Sequence, residues 1–240
     1  MRLRLTRFPY VLGALLCLVP SIAEQKFPQP RVSTRGLFGV WMASPIVAIG
    51  EVTNIVFYGE QTVDRLPPPT MLDVHELYWC VGDFHATAVV KGESVPTKKL
   101  LWASTIPGCK LLPDNPNHVA NRSKTRAWLL REEGEFLRPT FDYGAHRFLG
   151  VFTRWEDDPT LPPRQHLGSL LLTPSANADT LDNYADYFWD VVDIACELLG
   201  REECVRRIRD LAALGDPKLR ESACGCLKGQ WKEQYDCDSK

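Results

Sequence analysis

The cysteines are the residues of this sequence whose types and spacing point most directly to chemistry. Seven of the eight cysteines follow residue 23, and these are the disulfide candidates: Cys80, Cys109, Cys196, Cys204, Cys224, Cys226 and Cys237. An exported chain with this many cysteines is most simply a disulfide protein. We predict the pairs Cys80–Cys109 and Cys196–Cys204, and a third pair of Cys237 with either Cys224 or Cys226. Because seven is an odd number, one thiol is either free or paired with another chain, which allows a disulfide-linked dimer.

Zinc binding and thiol redox chemistry are the two alternatives for the C-terminal cysteines. Cys224 and Cys226 have one residue between them, whereas structural zinc sites usually have two to four. A single intervening residue would also close a strained redox ring, and no thioredoxin-like βαβ pattern surrounds it. We therefore favour disulfide bonds, and predict no metal ligand and no cofactor-binding residue.

The histidines and the paired carboxylates match no catalytic motif. The sequence contains no Gly-x-Ser-x-Gly elbow, no phosphate-binding glycine loop and no His-Glu-x-x-His helix. The carboxylates of Glu132-Glu133 and Asp157-Asp158 are adjacent on predicted loops, whereas paired-carboxylate catalysis needs side chains that converge. We predict no catalytic residue, although a fold that joined His85 to His146 would create a metal site. The histidines occur singly in the sequence, at His75, His85, His118, His146 and His166.

Residues 1–23 have the pattern of a secretory signal peptide. Arg2, Arg4 and Arg7 precede an apolar run that is too short to span a bilayer comfortably. Ser21-Ile22-Ala23 then places small residues at the usual cleavage spacing. We expect a secreted or periplasmic protein, with an uncleaved membrane anchor as the alternative.

The charge and hydropathy of the mature chain exclude two classes of partner. Cleavage after Ala23 removes three arginines and no acid, so the formal net charge falls from −2 to −5. Such a chain lacks the basic surface that nucleic acids require, and we predict no DNA or RNA partner. No second long apolar run occurs, so we predict no stable membrane span in the mature chain.

A hairpin between Cys80 and Cys109 is the first element that must position these residues. Apolar and polar residues alternate from Phe84 to Lys91, which is typical of a strand with one face on a core. Lys91-Gly92-Glu93-Ser94 favours a turn because glycine readily takes positive φ. Residues 98–104 then predict the returning strand, so the two cysteines flank the hairpin and could face each other.

Three further strands complete the predicted barrel. Residues 44–59 read as a long first strand, in which Gly50 indicates a bulge or sharp coil. Residues 126–131 and 147–155 are the predicted fourth and fifth strands. Five strands with a longer connection between the third and fourth favour a small closed barrel of the oligonucleotide/oligosaccharide-binding (OB) kind over residues 44–155.

The motifs of this region resemble those of netrin-like modules, which include the N-terminal domain of tissue inhibitors of metalloproteinases. The resemblance rests on Ser-Pro-Ile-Val-Ala-Ile-Gly-Glu-Val from Ser44, on an alternating strand ending in Val-Val-Lys-Gly, and on a cysteine after the third strand. It covers about residues 44–155 and implies the same barrel. The inhibitors begin their mature chain with a cysteine that binds the protease zinc. Cleavage after Ala23 leaves Glu24 first and no cysteine before Cys80, so the inhibitory mechanism is not implied.

The C-terminal part of the sequence changes from strand to helix periodicity. We predict a lead-in over residues 24–43, a proline-rich linker over 156–178 and a helical segment over 179–240. Residues 202–227, with their Asp-Pro turn, resemble a HEAT-type helical repeat. They cover barely one unit, and such units need stacked neighbours for stability. We therefore expect a helical cap docked on the barrel, so that the whole fold is α+β.

An acidic stripe lies on the first predicted helix of this segment, opposite its apolar face. A solvated helix face and a docking strip for a cation or partner are both readings of this stripe, which consists of Asp182, Asp186, Asp190 and Asp193.

These features favour an exported, disulfide-containing, non-enzymatic binding or interaction module. Its ligand would be a protein or peptide, held by loops at the barrel rim or by the acidic helix face. The alternative is an exported hydrolase or thiol-redox enzyme whose site is assembled only in the fold. A structural envelope protein linked through the odd cysteine is a third hypothesis.

Overall fold

A computed structural model describes residues 27–28, 31, 36–62, 76–95, 98–104, 107–109, 125–141, 160–178 and 180–230. The predicted signal peptide, the strand predicted over residues 147–155 and the cysteine at position 237 lie outside these residues. The fold is α+β, as predicted: a closed five-stranded barrel is followed by a segment of several helices. Among the residues described, no helix is both long enough and apolar enough to cross a membrane.

The barrel is formed by β1 (Ile46–Thr62), β2 (Glu76–Lys91), β3 (Lys99–Ser104), β4 (Arg126–Glu133) and β5 (Phe136–Pro139). The strand order is β1-β2-β3-β5-β4, and the antiparallel pairing of β1 with β4 closes the barrel. The β3–β5 pair is parallel and the other pairs are antiparallel. This mixed, closed, five-stranded arrangement is the predicted OB-like barrel.

The fifth strand of the barrel, β5, is an element that the sequence pattern did not predict. A two-residue turn at Gly134 and Glu135 joins β4 directly to β5, and Gly134 has a φ of 61°. The β5 strand has only four residues and ends at Pro139. Four residues carry too little alternation to predict a strand, which explains why the sequence pattern did not identify β5.

The bulge predicted at Gly50 is confirmed. The β1–β2 register shifts between Ile49 and Gly50, and a β-carbon at Gly50 would lie 2.4 Å from the carbonyl oxygen of His85. Gly50 is also the last β1 residue that pairs with β4, opposite Arg126. Beyond it, β1 continues as the outer strand of the β1–β2–β3 sheet, and we call its residues 51–62 the edge segment.

Alternation along the strands separates two cores. The barrel interior is filled by apolar side chains and by a disulfide between Cys80 and Cys109. The residues of this core are Ile46, Ala48, Cys80, Leu100, Trp102, Cys109, Trp128, Leu130 and Leu137. The intervening residues point outward and join the core of the helical segment: Val47, Ile49, Val90, Ala127 and Leu129. The outer face of the barrel and the helices therefore share a core that is distinct from the barrel interior, and the helical segment is a docked cap as expected.

Helices occupy two regions that were expected to be a lead-in and a linker. Helix α1 (Leu37–Ala43) lies in the former, and α2 (Pro163–Leu171) and α3 (Pro174–Asn177) lie in the latter. Proline occupies the first turn of α2 and of α3, where its missing N–H costs nothing. Helix α2 packs closely on the helix at Leu181–Leu199, so its buried residues contribute to the folded core.

The remaining helices agree with the predicted segment. They are α4 (Leu181–Leu199), α5 (Arg201–Ala212), α6 (Pro217–Gly225) and a π-helical turn (Cys226–Gln230). The Thr180 hydroxyl caps α4 by accepting from the Asn183 N–H at 3.1 Å, and the Asp216 carboxylate caps α6 through the Leu219 N–H at 2.8 Å. Trp41 of α1 donates to Glu197 of α4 at 2.5 Å, which ties the lead-in helix to this cap.

Candidate functional site

Both of the fully specified disulfide predictions are confirmed. Cys80 and Cys109 are bonded with their Cα atoms 5.6 Å apart, and Cys196 and Cys204 with theirs 5.1 Å apart. The first disulfide lies in the barrel interior, and the second joins α4 to α5 across the turn at Gly200.

Cys224 and Cys226 differ in oxidation state. Cys224 is disulfide-bonded, whereas Cys226 is a buried thiol. Cys237, the predicted partner of one of them, lies outside the described residues. In the described part of the chain, no group of three or more His, Cys, Asp or Glu side chains is placed to hold a metal ion.

The two described histidines lie on different elements. His85 is exposed on β2, with its Nε2 2.8 Å from the hydroxyl of Thr53. His166 is buried in α2. His75, His118 and His146 lie outside the described residues, as does the pair Asp157-Asp158. The hypothesis of a site shared by His85 and His146 therefore remains a hypothesis.

The adjacent carboxylates Glu132 and Glu133 serve as ion-pair partners of the barrel. Glu133 accepts hydrogen bonds from Arg131 and from Arg138, whose Nη1 lies 2.6 Å away and whose side chain is only 1% exposed. Burial raises the pKa of Glu133, but the charges of Arg138 and Arg131 outweigh it and hold the pKa below its ordinary value. Glu132 pairs instead with Lys98, at 2.7 Å near the surface. Glu133 is thus held ionised between strands β4 and β5.

The acidic stripe of α4 is partly an intramolecular ion-pair site. The ammonium group of Lys218 on α6 lies 2.7 Å from Asp186 and 3.3 Å from Asp182. The hydrogen bond to Asp186 is the main reason that the pKa of Lys218 is raised. Half of the stripe therefore joins α4 to α6, which weakens its interpretation as a docking strip.

The outer face of β2 and β3 is covered by the chain itself. In OB folds this face commonly binds ligands. Here it is apolar and buried, and it consists of Leu77, Trp79, Val81, Leu101 and Ala103. The Phe27 ring stacks on Trp79 with centroids 6.2 Å apart, and the Arg138 guanidinium lies 5.1 Å from the Trp79 centroid. Trp79 is fully buried, so its ring is not accessible to a ligand.

Four consecutive apolar side chains are exposed on the edge segment of β1. Ile55, Val56, Phe57 and Tyr58 are 38%, 54%, 56% and 36% exposed, and we call them the apolar strip. They make up half of the large exposed hydrophobic residues in the described chain, and they are the ones that adjoin each other in sequence. A strand packed on a core normally buries every second side chain, so exposure on both faces is a departure from the usual pattern.

The cross-strand register explains how this strip is held in place. Phe57 pairs with Cys80, beside the first disulfide, and Val56 pairs with Val81. The Tyr58 ring contacts Phe27 and Phe136 at centroid distances of 6.4 and 6.0 Å. The strip is therefore anchored through Val56, Phe57 and Tyr58 while its own side chains remain accessible. Sequence reasoning assigned these residues to a strand but did not identify their exposure, because an apolar run usually predicts burial.

The surroundings of the apolar strip are acidic. The edge segment and the β2 residues paired with it, 76–85, contain no lysine or arginine and four carboxylates: Glu51, Glu60, Glu76 and Asp83. Lys99 of β3 approaches Asp83 at 3.9 Å, and the Tyr78 hydroxyl donates to Glu76 at 2.8 Å. That hydrogen bond is the main cause of a raised pKa at Tyr78. The strip is thus an apolar surface bordered by negative charge.

The fold and the site define a class of protein: a disulfide-containing OB-like barrel with a docked helical cap. Comparison with known protein families, curated proteins and solved structures finds no match to this sequence or fold. Functional inference therefore depends on the geometry alone.

Proposed function

We propose that this protein is an exported, non-enzymatic binding module whose apolar strip binds a protein or peptide partner. The observation that carries the proposal is the contiguous exposure of Ile55–Tyr58 on a strand that is otherwise well anchored. Contiguous exposed apolar surface on a soluble protein often marks an interaction site. The disulfides support export, because such bonds persist mainly in oxidising compartments.

We also propose that the barrel is netrin-like and that α5 and α6 form a HEAT-like unit. The closed barrel with a disulfide-bonded cysteine after its third strand supports the first resemblance. The HEAT-like resemblance is supported by two consecutive helices, α5 and α6, the second of which begins at an Asp216-Pro217 turn. In netrin-like inhibitors of metalloproteinases a mature N-terminal cysteine is essential, so this proposal concerns the fold and not that activity.

The contribution of the apolar strip to partner binding can be worked out from the exposure of two of its side chains. Burying a whole Val or Phe side chain contributes about 1.5–3 kcal/mol. Val56 and Phe57 have slightly more than half of their surface exposed, so a partner that covers both gains roughly half of that contribution from each. Loss of the Phe57 contact should therefore weaken a strip-dependent complex by about three- to tenfold, and a charged replacement by more, because its charge must also be desolvated.

A selection experiment tests the proposed function. A displayed peptide library is selected against the full exported chain and then screened against Phe57→Asp. Met42→Asp is the matched control, because Met42 is also 56% exposed but lies on α1. We expect binders that lose affinity for Phe57→Asp and keep it for Met42→Asp. If every selected binder tolerates Phe57→Asp, the strip is not the binding surface and the proposal fails.

Export has its own test. The protein is expressed with residues 1–23 in place, and the intact mass is measured without reductant in each cell fraction. We expect exported material that begins at Glu24 and whose Cys80, Cys109, Cys196 and Cys204 resist thiol alkylation in denaturant. Full-length chain retained in the cytoplasm with these thiols alkylated would contradict the proposed export.

A further inference from the structure

We infer that the apolar strip takes an extended partner segment in which apolar residues alternate with lysine or arginine. This inference rests on the proposed function and specifies the partner of the same site. It is carried by two observations: the position of the strip at a strand edge, and the one-sided charge around it.

The edge position favours an extended partner. β4 pairs with β1 only from Ile46 to Gly50, so within the described residues the edge segment is bonded to β2 alone. Side chains on both faces of the strip are exposed, since Phe57 and its neighbours Val56 and Tyr58 point to opposite sides of the strand. A flat partner surface would cover one face only. A chain lying along the edge contacts both faces, which is the geometry of recognition by strand addition.

The backbone limits the length of that contact. Asn54, with a φ of 49°, interrupts the strand just before the strip, and the β1–β2 register shifts between Thr53 and Val56. A second shift falls between Phe57 and Gly59. Regular edge contact is therefore confined to the strip itself, and a partner segment gains more from its side chains than from a long ladder of backbone hydrogen bonds.

The charge around the strip selects the partner's composition. Glu51 and Glu60 border the strip on its own strand, and Glu76 and Asp83 lie on β2. An alternating basic segment would place its cations near these carboxylates and its apolar side chains on the strip. A second copy of the chain is the other occupant of an open edge. It would bring two acidic edges together with no lysine or arginine in residues 51–62 or 76–85 of either copy, and of the described carboxylates the neighbouring Lys99 approaches only Asp83.

The test uses synthetic peptides and the full exported chain. One peptide alternates valine with lysine, a second alternates valine with glutamate, and a third has the composition of the first with its valines grouped together. Binding is measured by fluorescence anisotropy at low and high salt. We expect the alternating lysine peptide to bind about tenfold or more tighter than either of the others, and to weaken as salt rises.

Two kinds of variant locate the interaction. Phe57→Asp should abolish binding of the lysine peptide, whereas the control Met42→Asp should leave it unchanged. If the aspartate disturbs folding, Phe57→Ser serves as the test variant instead. Glu51→Gln combined with Glu60→Gln should reduce the preference for lysine over glutamate. Far-UV circular dichroism of each variant checks that the fold is retained.

Each outcome separates this inference from the function on which it rests. Phe57-dependent binding of both alternating peptides with equal affinity would refute the charge selectivity but leave the proposed function standing. Equal binding of the grouped peptide would refute the extended mode. A dimer in light scattering that Phe57→Asp dissociates would make a second copy the occupant and overturn the inference. Absence of any Phe57-dependent ligand, from these peptides or the library, would overturn both.

Discussion

Replacing Glu133 by glutamine should destabilise the barrel more than the same substitution at the neighbouring Glu132. Glu133 accepts from Arg131 and Arg138, which are 8% and 1% exposed as side chains. The substitution Glu133→Gln keeps the size of the side chain but removes the charge that both guanidinium groups face. Two buried cations then lose their common anion, and a neutral amide cannot replace it.

The magnitude follows from the burial of the two partners. Removing one member of a buried ion pair costs about 3–5 kcal/mol. The Glu133 side chain is itself 36% exposed, and water reaching that site lowers the cost. We therefore expect the free energy of unfolding to fall by about 2–3 kcal/mol.

The neighbouring residue provides a matched control. Glu132 undergoes the same substitution in the same strand, but its side chain is 51% exposed and its partner Lys98 lies near the surface. Exposed pairs contribute about 0–1 kcal/mol, so Glu132→Gln should have a small effect. Urea unfolding at pH 7, followed by tryptophan fluorescence, measures both. If the two variants lose the same stability, the argument from buried arginines is wrong.

The pH dependence of this effect has a definite sign. The pKa of Glu133 is lower in the folded protein than its ordinary value of 4.5. Its charge therefore contributes stability above about pH 4.5, and this contribution is lost as the pH falls through the folded-state pKa. The difference in unfolding free energy between wild type and Glu133→Gln should narrow below pH 4.5. A difference that stays constant from pH 7 to pH 3 would show that the charge is not its source.

Three further substitutions test the fold by thermal or urea unfolding. Gly50→Ala should lower the free energy of unfolding by about 2 kcal/mol or more, because the new β-carbon would meet the backbone oxygen of His85. The control Gly36→Ala should have little effect, because no atom lies within 4 Å of its β-carbon. Equal losses of stability in the two variants would contradict the bulge. Alanine at both Cys80 and Cys109 should cost about 3.5 kcal/mol, given the sequence separation of 29, and an unchanged midpoint would exclude the disulfide. Asp216→Ala should cost about 1 kcal/mol through loss of its cap, and a neutral result would exclude that hydrogen bond.

Local signals in the sequence were sufficient for the longer elements and for the two disulfides. Nineteen residues of α4 carry a clear apolar periodicity, and Thr180 and Gly200 mark its two ends. The hairpin pattern predicted that Cys80 and Cys109 flank two paired strands and could face each other, and the disulfide between them confirms this. Such features depend on the hydrophobic periodicity within one element or on residues close together in the chain, so they can be predicted from a single sequence.

The short elements were decided by tertiary contacts. Helix α1 has seven residues, and α2 has nine and begins with a proline. Isolated helices of this length are marginal in water, so their stability comes from packing on distant residues. For α2, a β-carbon on Gly168 would lie 2.9 Å or less from Leu198 and Leu199, which shows how closely the helix lies against α4.

The roles of individual side chains were also only partly predictable from the sequence. Lys91 marked a turn in the sequence, but in the fold its ammonium group donates to the Trp41 carbonyl at 2.9 Å and to the Met42 carbonyl at 3.2 Å, at the end of α1. The apolar strip is the converse case, since Ile55–Tyr58 has the composition of a buried strand. The sequence by itself determined four of the five barrel strands, the helical segment and two disulfides, because those depend on periodicity and spacing. Only the tertiary structure decided which faces are covered, because burial depends on residues far away in the chain.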